Sequence, residues 1–362
     1  MTSFHINDKK YEIVDKEEDG LTISSVPKSY RVWFGSAPND ISIAYEPGDI
    51  FLIDRNVYDL FYRASKFIPE DCVYYIDAVE KEKNIETVLD FVRFLVSKKF
   101  TKKSKLIVVG GGITQDIAAF SAAVYKRGIK WVFFPTTLLS MCDSCIGGKT
   151  GINFESAKNQ LALFSSPTAV YLAPYFLSTL KEQDIKSGLG EALKLFNMAG
   201  PASLETYKEC VEDGGLKSQK TEKLIREALK IKKAVVEEDE FELGNRTALN
   251  YGHTVGHALE AATKYSIPHG QAIAIGLVVA DEVSGNHNQE VKKLVSDLVG
   301  NLKNIDFDYE EVFSFIKKDR KVLGDTIKIV TCPSSGKIVF KESVLDEKFK
   351  DKVIESLRFF FK

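Results

Sequence analysis

The fold is decided by one stretch of sequence, Lys105-Leu-Ile-Val-Val-Gly-Gly-Gly-Ile-Thr-Gln-Asp116. Its apolar run at residues 105–109 predicts a buried strand, and three glycines then lead into a helix predicted over residues 114–126. Glycines allow another group to approach the backbone closely, and a helix N-terminus offers free N–H groups to a phosphate. The stretch is not the G-x-G-x-x-G dinucleotide fingerprint, so the glycines alone fit a tight turn as well as a phosphate-binding loop.

The sequence around this stretch alternates short apolar runs with helical patterns. Strands are predicted at residues 49–53, 73–76, 130–134 and 169–172, and a further helix at residues 85–97. Alternation of strands and helices is typical of a parallel sheet with helices on both faces. Ligands of such sheets bind at the carboxyl ends of the strands.

The sequence changes character from about residue 180, where long helical patterns dominate. Helices are predicted at residues 188–199, 221–238, 247–264, 270–284, 309–318 and 346–361. Residues 327–331 and 337–340 predict a hairpin. A chain of 362 residues is long enough for two domains. We therefore expect an α/β nucleotide-binding domain over residues 1–180 and a mostly helical domain over residues 181–362.

Composition restricts the partners of the chain. There are 49 Lys and Arg residues and 51 Asp and Glu residues, which gives a net charge of −2. So balanced a chain has no global field to attract nucleic acid or an anionic membrane, so we expect neither as a partner. The N-terminus lacks a signal-peptide pattern, and no apolar run approaches the ~20 residues that span a bilayer. A cytoplasmic location is expected, and five cysteines do not indicate a disulfide framework.

Three of the five histidines lie within residues 253–269. His253 and His257 are separated by four positions, so both face the same side of a predicted helix, and His269 opens the next helical run. Catalytic zinc sites often combine two histidines with a glutamate. The crowding favours a metal site over a set of hydrogen-bonded core histidines. Spacing nominates His253 and His257 first, but it leaves open which two histidines are ligands.

Several bases stand among small or apolar residues. Each of them alone is most often a solvated surface base, yet together they would suit a substrate with several negative charges. Lys194 follows Glu191 by three residues, so the two share one helix face. The set comprises Arg127, Lys149, Lys158, Lys194, Lys232 and Arg246.

Six blocks follow one another in a fixed order along the chain. They are Gly110-Gly-Gly-Ile-Thr-Gln-Asp-Ile-Ala-Ala, Tyr125-Lys-Arg-Gly, Phe134-Pro-Thr-Thr-Leu-Leu, Asp143-Ser-Cys-Ile-Gly-Gly-Lys-Thr-Gly-Ile-Asn, Gly188-Leu-Gly-Glu-Ala-Leu-Lys and Leu249-Asn-Tyr-Gly-His-Thr-Val-Gly-His-Ala-Leu-Glu. Together they resemble the 3-dehydroquinate synthase family, and the resemblance runs from about residue 54 to residue 321. It implies an α/β N-terminal nucleotide-binding domain, here holding NAD, and a mostly α-helical C-terminal domain that binds metal and substrate.

The resemblance also implies an activity. Members of this family are sugar phosphate cyclases that depend on NAD and on Zn²⁺ or Co²⁺. They are lyases of the shikimate pathway, which leads to the aromatic amino acids. They convert the seven-carbon keto-acid phosphate DAHP into 3-dehydroquinate and phosphate. The reaction oxidises one ring hydroxyl transiently, eliminates phosphate, returns the hydride and closes the carbocycle by an intramolecular aldol step. A homodimer is expected from the resemblance as well.

The resemblance assigns residues to roles. It implies that the metal ligands are Glu191, His253 and His269. It also implies that His257 faces the substrate. The residues implied in catalysis are Asp143, Lys149, Asn250 and His257. Those implied in substrate binding are Arg127, Lys149, Lys194, Lys232, Arg246, Asn250, Arg320 and Lys321. Those implied in NAD binding are Asp54, Asn56, Glu80, Lys83, Gly111, Gly112, Asp116, Thr136, Thr137, Lys158, Asn159 and Thr179.

Three alternatives stay open. Gln115, Gly190 and Gln271 depart from the family's usual residues, so a sister cyclase acting on another heptulose phosphate, such as sedoheptulose 7-phosphate, is a candidate. The second is a polyol oxidoreductase similar to glycerol dehydrogenase, which a set of bases disfavours because a neutral polyol does not need them. The third is an inactive binding protein, in which we would expect one of the metal ligands to be replaced by another residue. The intact basic set favours DAHP as the substrate.

Overall fold

The computed structural model describes residues 2–14, 19–35, 41–64, 68–155, 157–319 and 321–362. The chain forms two compact units. One is Lys16–Leu180, and the other joins Met1–Asp15 to Lys181–Lys362. The two are described in turn below.

The first two strands belong to the second of these units. β1 (Ser3–Ile6) and β2 (Lys9–Glu12) form a hairpin, and β1 pairs in parallel with the late strand Lys337–Val344. The prediction of a domain over residues 1–180 is therefore wrong for residues 1–15, because strand pairing holds them in the C-terminal unit.

The Lys16–Leu180 unit is built on a seven-stranded sheet with the strand order β3-β4-β11-β8-β7-β5-β6. All neighbours pair in parallel except β3 with β4. The central strands are apolar and buried, as expected for a parallel sheet covered on both faces. The strands of this unit are β3 (Gly20–Ile23), β4 (Tyr30–Phe34), β5 (Ile50–Asp54), β6 (Val73–Ile76), β7 (Lys105–Gly110), β8 (Lys130–Pro135), the hairpin β9 (Lys149–Phe154) with β10 (Ala157–Phe164), and β11 (Ala169–Leu172).

Two long helices accompany this sheet. In α1 (Ile85–Ser97) the side chain of Asn84 caps the first turn, and one apolar face is buried. α2 (Gly112–Val124) begins directly after β7. The shorter helical segments are Ile41–Ala44, Arg55–Val57, Tyr58–Tyr62, Glu70–Cys72, Glu80–Glu82, Tyr125–Arg127, Ser140–Ser144 and Pro174–Thr179.

The C-terminal unit is dominated by helices packed around the helix His269–Val283, which is buried along almost its whole length. An apolar helix buried on all sides marks the centre of a domain core. The helices are α3 (Glu182–Ala199), α4 (Pro201–Cys210), α5 (Thr221–Val236), α6 (His253–Ala262), α7 (His269–Val283), α8 (Gln289–Val299), α9 (Tyr309–Lys317) and α10 (Glu347–Phe361), with shorter segments at Ser218–Lys220 and Asn245–Asn250.

Strands also contribute to this unit. β12 (Val211–Glu212) pairs with β13 (Gly215–Leu216). A five-stranded sheet has the order β14-β15-β16-β1-β2, with β14 (Val322–Leu323), β15 (Thr326–Ser334) and β16 (Lys337–Val344). The predicted hairpin is confirmed as β15–β16. The predicted fold class, an α/β domain followed by a helix-rich one, is confirmed as well.

The helix predicted over residues 247–264 is broken. Asn245–Asn250 is a 3₁₀ segment, and Gly252 adopts a left-handed conformation with φ of 81°. A Cβ on Gly252 would also lie 2.6 Å from the carbonyl oxygen of Ile273. Only glycine adopts such a backbone readily, so α6 begins at His253.

Two further observations concern the chain as a whole. Of the helices in the described ranges, none has the length and apolar character that crossing a membrane requires. The five cysteines are free thiols, and four of them are buried.

Candidate active site

Three helices of the C-terminal unit bring one carboxylate and two imidazoles together. Glu191 lies in α3, His253 begins α6 and His269 begins α7. Glu191 Oε1 lies 3.7 Å from His253 Nε2 and 3.2 Å from His269 Nε2. The other carboxylate oxygen, Oε2, accepts a hydrogen bond from Lys194 Nζ at 2.5 Å. One buried carboxylate thus serves a cation on one side and two ring nitrogens on the other.

The opposite ring nitrogens of these two histidines are also held. His253 Nδ1 lies 3.2 Å from the carbonyl oxygen of Tyr251, and His269 Nδ1 lies 3.0 Å from Glu260 Oε2. Both contacts require Nδ1 to carry a proton, which leaves each Nε2 directed at Glu191. Within the described part of the chain, no comparable acceptor holds a ring nitrogen of His257.

Burial and charge shift the titration of this group. Burial raises the pKa of Glu191, but Lys194 and the two imidazoles outweigh it and hold that pKa well below its usual range. Burial, with Lys194 adding to it, lowers the pKa of His253 well below its ordinary value despite Glu191. Burial also acts to lower the pKa of His269, yet its hydrogen bonds to Glu191 and Glu260 raise the pKa to about 10. A positive charge, from a proton or a metal ion, is therefore favoured beside these carboxylates.

These residues fit a divalent metal. Two imidazoles with one carboxylate form a common catalytic zinc set, which leaves a position open for substrate. Metal–ligand bonds of about 2.0–2.1 Å place tetrahedral ligand atoms about 3.4 Å apart. The Glu191 distances of 3.2 and 3.7 Å bracket that separation. The ligand atoms of His253, His257 and His269 all lie within 4.8 Å of one another, so the third histidine borders the same point.

His257 and Lys321 lie next to the three proposed ligands. The ring of His257 is exposed, with its centroid 5.2 Å from that of His253 and 5.6 Å from that of His269. Lys321 Nζ donates to Thr254 Oγ1 at 2.8 Å, one residue beyond His253. The neighbouring predicted residue Arg320 lies outside the described residues.

The segment before α6 holds Arg246 and Asn250. Arg246 is 1% exposed, its N–H donates to Asp239 Oδ2 at 2.9 Å, and its guanidinium donates to the carbonyl oxygen of Glu240. Asn250 Nδ2 donates to Glu242 Oε1 at 2.9 Å. Asp239 and Glu242 were not predicted as site residues, because carboxylates in a charged loop carry no distinguishing pattern.

Glu260 was also missed, although a signal for it existed. His253, His257 and Glu260 stand at positions i, i+4 and i+7, so all three face the same side of α6. The remaining predicted base of this unit, Lys232, lies on α5 and is 6% exposed.

In the Lys16–Leu180 unit, four predicted NAD-site residues form one polar network around Lys83. Lys83 Nζ lies 3.0 Å from Asp116 Oδ2, 2.7 Å from Asn159 Oδ1 and 3.8 Å from Glu80 Oε1. Burial raises the pKa of Asp116, and the ammonium of Lys83 only partly offsets this. The network ties the β9–β10 hairpin to α2.

Other predicted NAD-site residues follow the carboxyl ends of parallel strands. Asp54 ends β5 and Asn56 follows it, Gly111 and Gly112 follow β7, and Thr136 and Thr137 follow β8. Lys158 lies on β10, and Thr179 is the exposed last residue of the helical segment after β11.

The turn before α2 fits a phosphate group. A Cβ on Gly111 would lie 2.9 Å from the Thr137 side chain, whereas a Cβ on Gly112 would meet only Ser144 Oγ, at 3.9 Å. Among the described residues, no side chain caps the start of α2, so the N–H groups of its first turn are left for an anion. The glycines therefore leave room that a side chain would fill.

Three predicted substrate residues belong to the Lys16–Leu180 unit. Asp143 lies in the helical turn Ser140–Ser144, and Lys149 is the exposed first residue of β9. Arg127 is exposed and has a left-handed backbone with φ of 62°.

Comparison with known proteins gives the family. Residues 73–187 match the model of the 3-dehydroquinate synthase N-terminal domain, and residues 188–322 match that of the C-terminal domain. The chain is 35% identical to 3-dehydroquinate synthase of Dictyoglomus turgidum, with 81% of this chain and 85% of the relative covered. The chain belongs to the 3-dehydroquinate synthase family. The enzyme of Streptococcus pneumoniae is 32% identical over 86% of this chain and 91% of its own. These 3-dehydroquinate synthase relatives support the same function here.

Solved structures support the fold of this 3-dehydroquinate synthase family member. A 2-deoxy-scyllo-inosose synthase complexed with carbaglucose-6-phosphate, NAD⁺ and Co²⁺ has a TM-score of 0.83 at 22% identity, covering 93% of this chain and 99% of its own. The 2-epi-5-epi-valiolone synthase of Streptomyces hygroscopicus subsp. jinggangensis 5008, with NAD⁺ and Zn²⁺ bound, has a TM-score of 0.72 at 21% identity over the same shares. At such identities these likenesses establish the fold alone.

Proposed function

We propose that the chain is a 3-dehydroquinate synthase that converts DAHP into 3-dehydroquinate and phosphate. The observation that best supports this substrate is a set of three buried, positively charged side chains in the C-terminal unit. Lys194 is 2% exposed, Lys232 6% and Arg246 1%. Buried lysine and arginine form strong charge-assisted hydrogen bonds to phosphate and carboxylate groups. A substrate with a phosphate and a carboxylate makes use of such positive charge, whereas a neutral polyol does not need it.

Glu191, His253 and His269 would hold a divalent metal, Zn²⁺ or Co²⁺. When bound, the metal polarises the substrate hydroxyl that is oxidised and stabilises negative charge on that oxygen. Lys194 keeps the Glu191 carboxylate ionised and ready to ligate. His257, exposed beside the ligands, would hydrogen-bond the substrate and transfer a proton at a ring nitrogen.

The Lys16–Leu180 unit would hold NAD. Bound NAD⁺ would supply reversible hydride-transfer chemistry to this unit, with no net redox change over the whole reaction. Gly111 and Gly112 would let the cofactor's phosphates approach the start of α2, and the polar network around Lys83 would hold the neighbouring part of the site.

The remaining predicted residues would bind the substrate's anionic ends. Arg246, Lys232 and Lys321 would serve in the C-terminal unit, and the family resemblance implies the same role for Arg127 and Lys149. Asn250 and Asp143 would orient hydroxyl groups. Charge-assisted hydrogen bonds of this kind are stronger than neutral ones. A homodimer and a cytoplasmic location are part of the proposal.

A substrate panel tests the proposal. Protein loaded with Zn²⁺ and NAD⁺ is incubated with DAHP, sedoheptulose 7-phosphate or glycerol, while phosphate release, 3-dehydroquinate and NADH are measured. The His269→Ala variant serves as the inactive control. We expect phosphate and 3-dehydroquinate from DAHP alone, in equal amounts and without accumulation of NADH.

Each other outcome contradicts the proposal in a different way. Turnover of sedoheptulose 7-phosphate without turnover of DAHP would assign a sister cyclase. Steady NADH formation with glycerol would assign a polyol oxidoreductase. Absence of turnover with all three substrates, in protein that retains zinc and NAD, would favour a binding protein.

A further inference from the structure

Glu260 is a buried carboxylate that the proposed reaction does not use. It lies near the end of α6, is 5% exposed, and its Oε2 lies 3.0 Å from His269 Nδ1. Its backbone carbonyl oxygen also accepts a hydrogen bond from the N–H of Tyr265 at 2.8 Å. Glu260 therefore holds both the segment that leads to His269 and the ring of His269 itself.

We propose that Glu260 is a positioning residue that fixes the orientation and tautomer of His269 for metal binding. The proposal rests on the metal site proposed above. When Nδ1–H donates to Glu260, the lone pair of Nε2 is the one left for a metal ion. That Nε2 already lies 3.2 Å from Glu191 Oε1, so the imidazole directs this nitrogen at another of the proposed ligands.

The backbone before His269 explains why this residue needs such support. Lys264 and Tyr265 are consecutive residues with left-handed backbones, with φ of 50° and 61°. His269 then opens α7 with its side chain still 36% exposed. Since over a third of this side chain is exposed, the hydrogen bond from Nδ1–H to Glu260 adds a restriction on the rotation of its ring.

The two proposed imidazole ligands differ in the strength of this support. The Nδ1–H of His253 meets the neutral carbonyl oxygen of Tyr251 at 3.2 Å, while that of His269 meets a carboxylate at 3.0 Å. Hydrogen bonds to an ionised acceptor are stronger, and a carboxylate partner makes the imidazole a better electron donor to a metal. Glu260 thus compensates for the greater exposure of His269.

Titration of the metal-free protein with Co²⁺ tests the proposal without any substrate. The variants are Glu260→Ala and Glu260→Gln, the second of which keeps an acceptor oxygen without the charge. Glu282→Gln is the matched control, because Glu282 is a partly buried carboxylate of the same unit that pairs instead with Lys292 at 2.6 Å. The dissociation constant and the visible absorption spectrum of the bound Co²⁺ are measured.

We expect Glu260→Ala to weaken Co²⁺ binding by about 10–100-fold and to change the spectrum, since outer partners of metal ligands have effects of that size. Glu260→Gln should fall between this variant and the wild type, and Glu282→Gln should match the wild type. An unchanged dissociation constant and spectrum in Glu260→Ala would overturn the proposal, as would a wild type that does not bind Co²⁺.

Two further outcomes keep this proposal separable from the proposed function. If Glu260→Ala does not fold, Glu260→Gln decides: weaker Co²⁺ binding with an unchanged urea unfolding curve supports the proposal, and equal binding contradicts it. If the wild type binds Co²⁺ but does not turn over DAHP, the substrate assignment fails while the titration still decides the role of Glu260.

Discussion

Gly190 and Gly270 allow α3 and α7 to cross in backbone contact. A Cβ atom on Gly190 would lie 2.5 Å from the carbonyl carbon of Gly270, closer than real side chains approach. Each glycine is the direct neighbour of a proposed metal ligand, Glu191 or His269. The close crossing is therefore what brings these two ligands within 3.2 Å of each other.

Replacing Gly190 with alanine should push the two helices apart. Overpacking of a well-packed interface costs about 1–3 kcal/mol, and the free energy of unfolding should fall by at least that amount because the obstacle is backbone. Zinc content per chain should fall as well. Gly215→Ala is the control, since a Cβ there meets its nearest atom at 3.5 Å. Equal stability and zinc content in the two variants would contradict this role of the crossing.

His269→Ala should abolish metal retention and cyclase activity. The variant removes one of three proposed ligands, so the loss of zinc affinity should exceed the ~10–100-fold effect of removing an outer hydrogen-bonding partner. Zinc per chain is measured by atomic emission after dialysis. His287→Ala, which removes an exposed histidine of the same unit, should keep its zinc. Stoichiometric zinc and full activity in His269→Ala would remove this residue from the ligand set.

Arg246→Ala should mainly weaken binding of the anionic substrate. Truncating one partner of a buried charged contact typically costs about 2–5 kcal/mol, which corresponds to a rise of at least about 30-fold in KM. Steady-state kinetics with DAHP give KM and kcat separately. Arg93→Ala, at an exposed position of α1, is the control. A KM and kcat equal to those of the control would contradict the proposed role.

The buried carboxyl group of Asp281 should make the stability of the fold depend on pH in an unusual direction. It is buried in α7 and accepts hydrogen bonds from Tyr251 Oη at 2.5 Å, Thr331 Oγ1 at 2.8 Å and Cys332 N–H at 2.8 Å. Burial, only partly offset by these hydrogen bonds, raises the pKa of Asp281 to about 6 from an ordinary 3.8. The folded chain therefore holds this proton more tightly than the unfolded chain does.

The stabilisation from protonated Asp281 is full below pH 4 and is lost as the pH rises through 6. Relative to Asp281→Asn, which cannot titrate, the wild type should gain about 2.4 kcal/mol of unfolding free energy between pH 7 and pH 4. Urea unfolding curves of both proteins across this range give the difference. A difference that stays constant with pH would show that the side chain does not titrate there.

Contacts of Asn7 and Lys9 connect the N-terminal hairpin to the residues around Arg246. Asn7 Nδ2 donates to Asn245 Oδ1 at 3.2 Å, and Lys9 pairs with Glu238 in the same segment. Asn7→Gly keeps the left-handed turn and removes only the amide. It should cost about 1 kcal/mol of stability and speed hydrogen exchange at the N–H of Arg246.

The matched control for Asn7→Gly is Asp213→Gly, because Asp213 has a similar left-handed backbone with φ of 49° in the β12–β13 turn. Hydrogen exchange at Arg246 should be unaffected in that variant. Equal exchange rates at Arg246 in the two variants would show that the N-terminal hairpin does not stabilise the segment that contains Arg246.

The sequence predicts five of the six parallel strands in the described part of the Lys16–Leu180 unit, all except β4, and the two kinds of domain, because buried apolar runs and helical periodicity are strong signals. It does not predict β1, β2 or the β9–β10 hairpin, whose strands are short or carry polar residues with little apolar alternation. It extends the helix before His253 too far, because the left-handed Gly252 depends on contact with α7.

The candidate site could be predicted only in part. The histidine spacing indicates a metal site, but Glu191 lies far away in sequence, and the resemblance to a known family supplied it. Glu260 shows its role only when the turn after α6 brings His269 beside it. The assignments of ligands and binding residues stay predictions until the variants above are measured.

The parallel pairing of β1 with β16 has a consequence for synthesis on the ribosome. Residues 3–6 leave the exit tunnel before the Lys16–Leu180 unit, yet their partner strand is translated only after that unit and after most helices of the C-terminal unit. At about 5–20 residues per second the two are separated by on the order of tens of seconds. The Lys16–Leu180 unit is continuous in sequence and can fold during that interval, whereas the C-terminal sheet must recruit its first strand after translation of the last one.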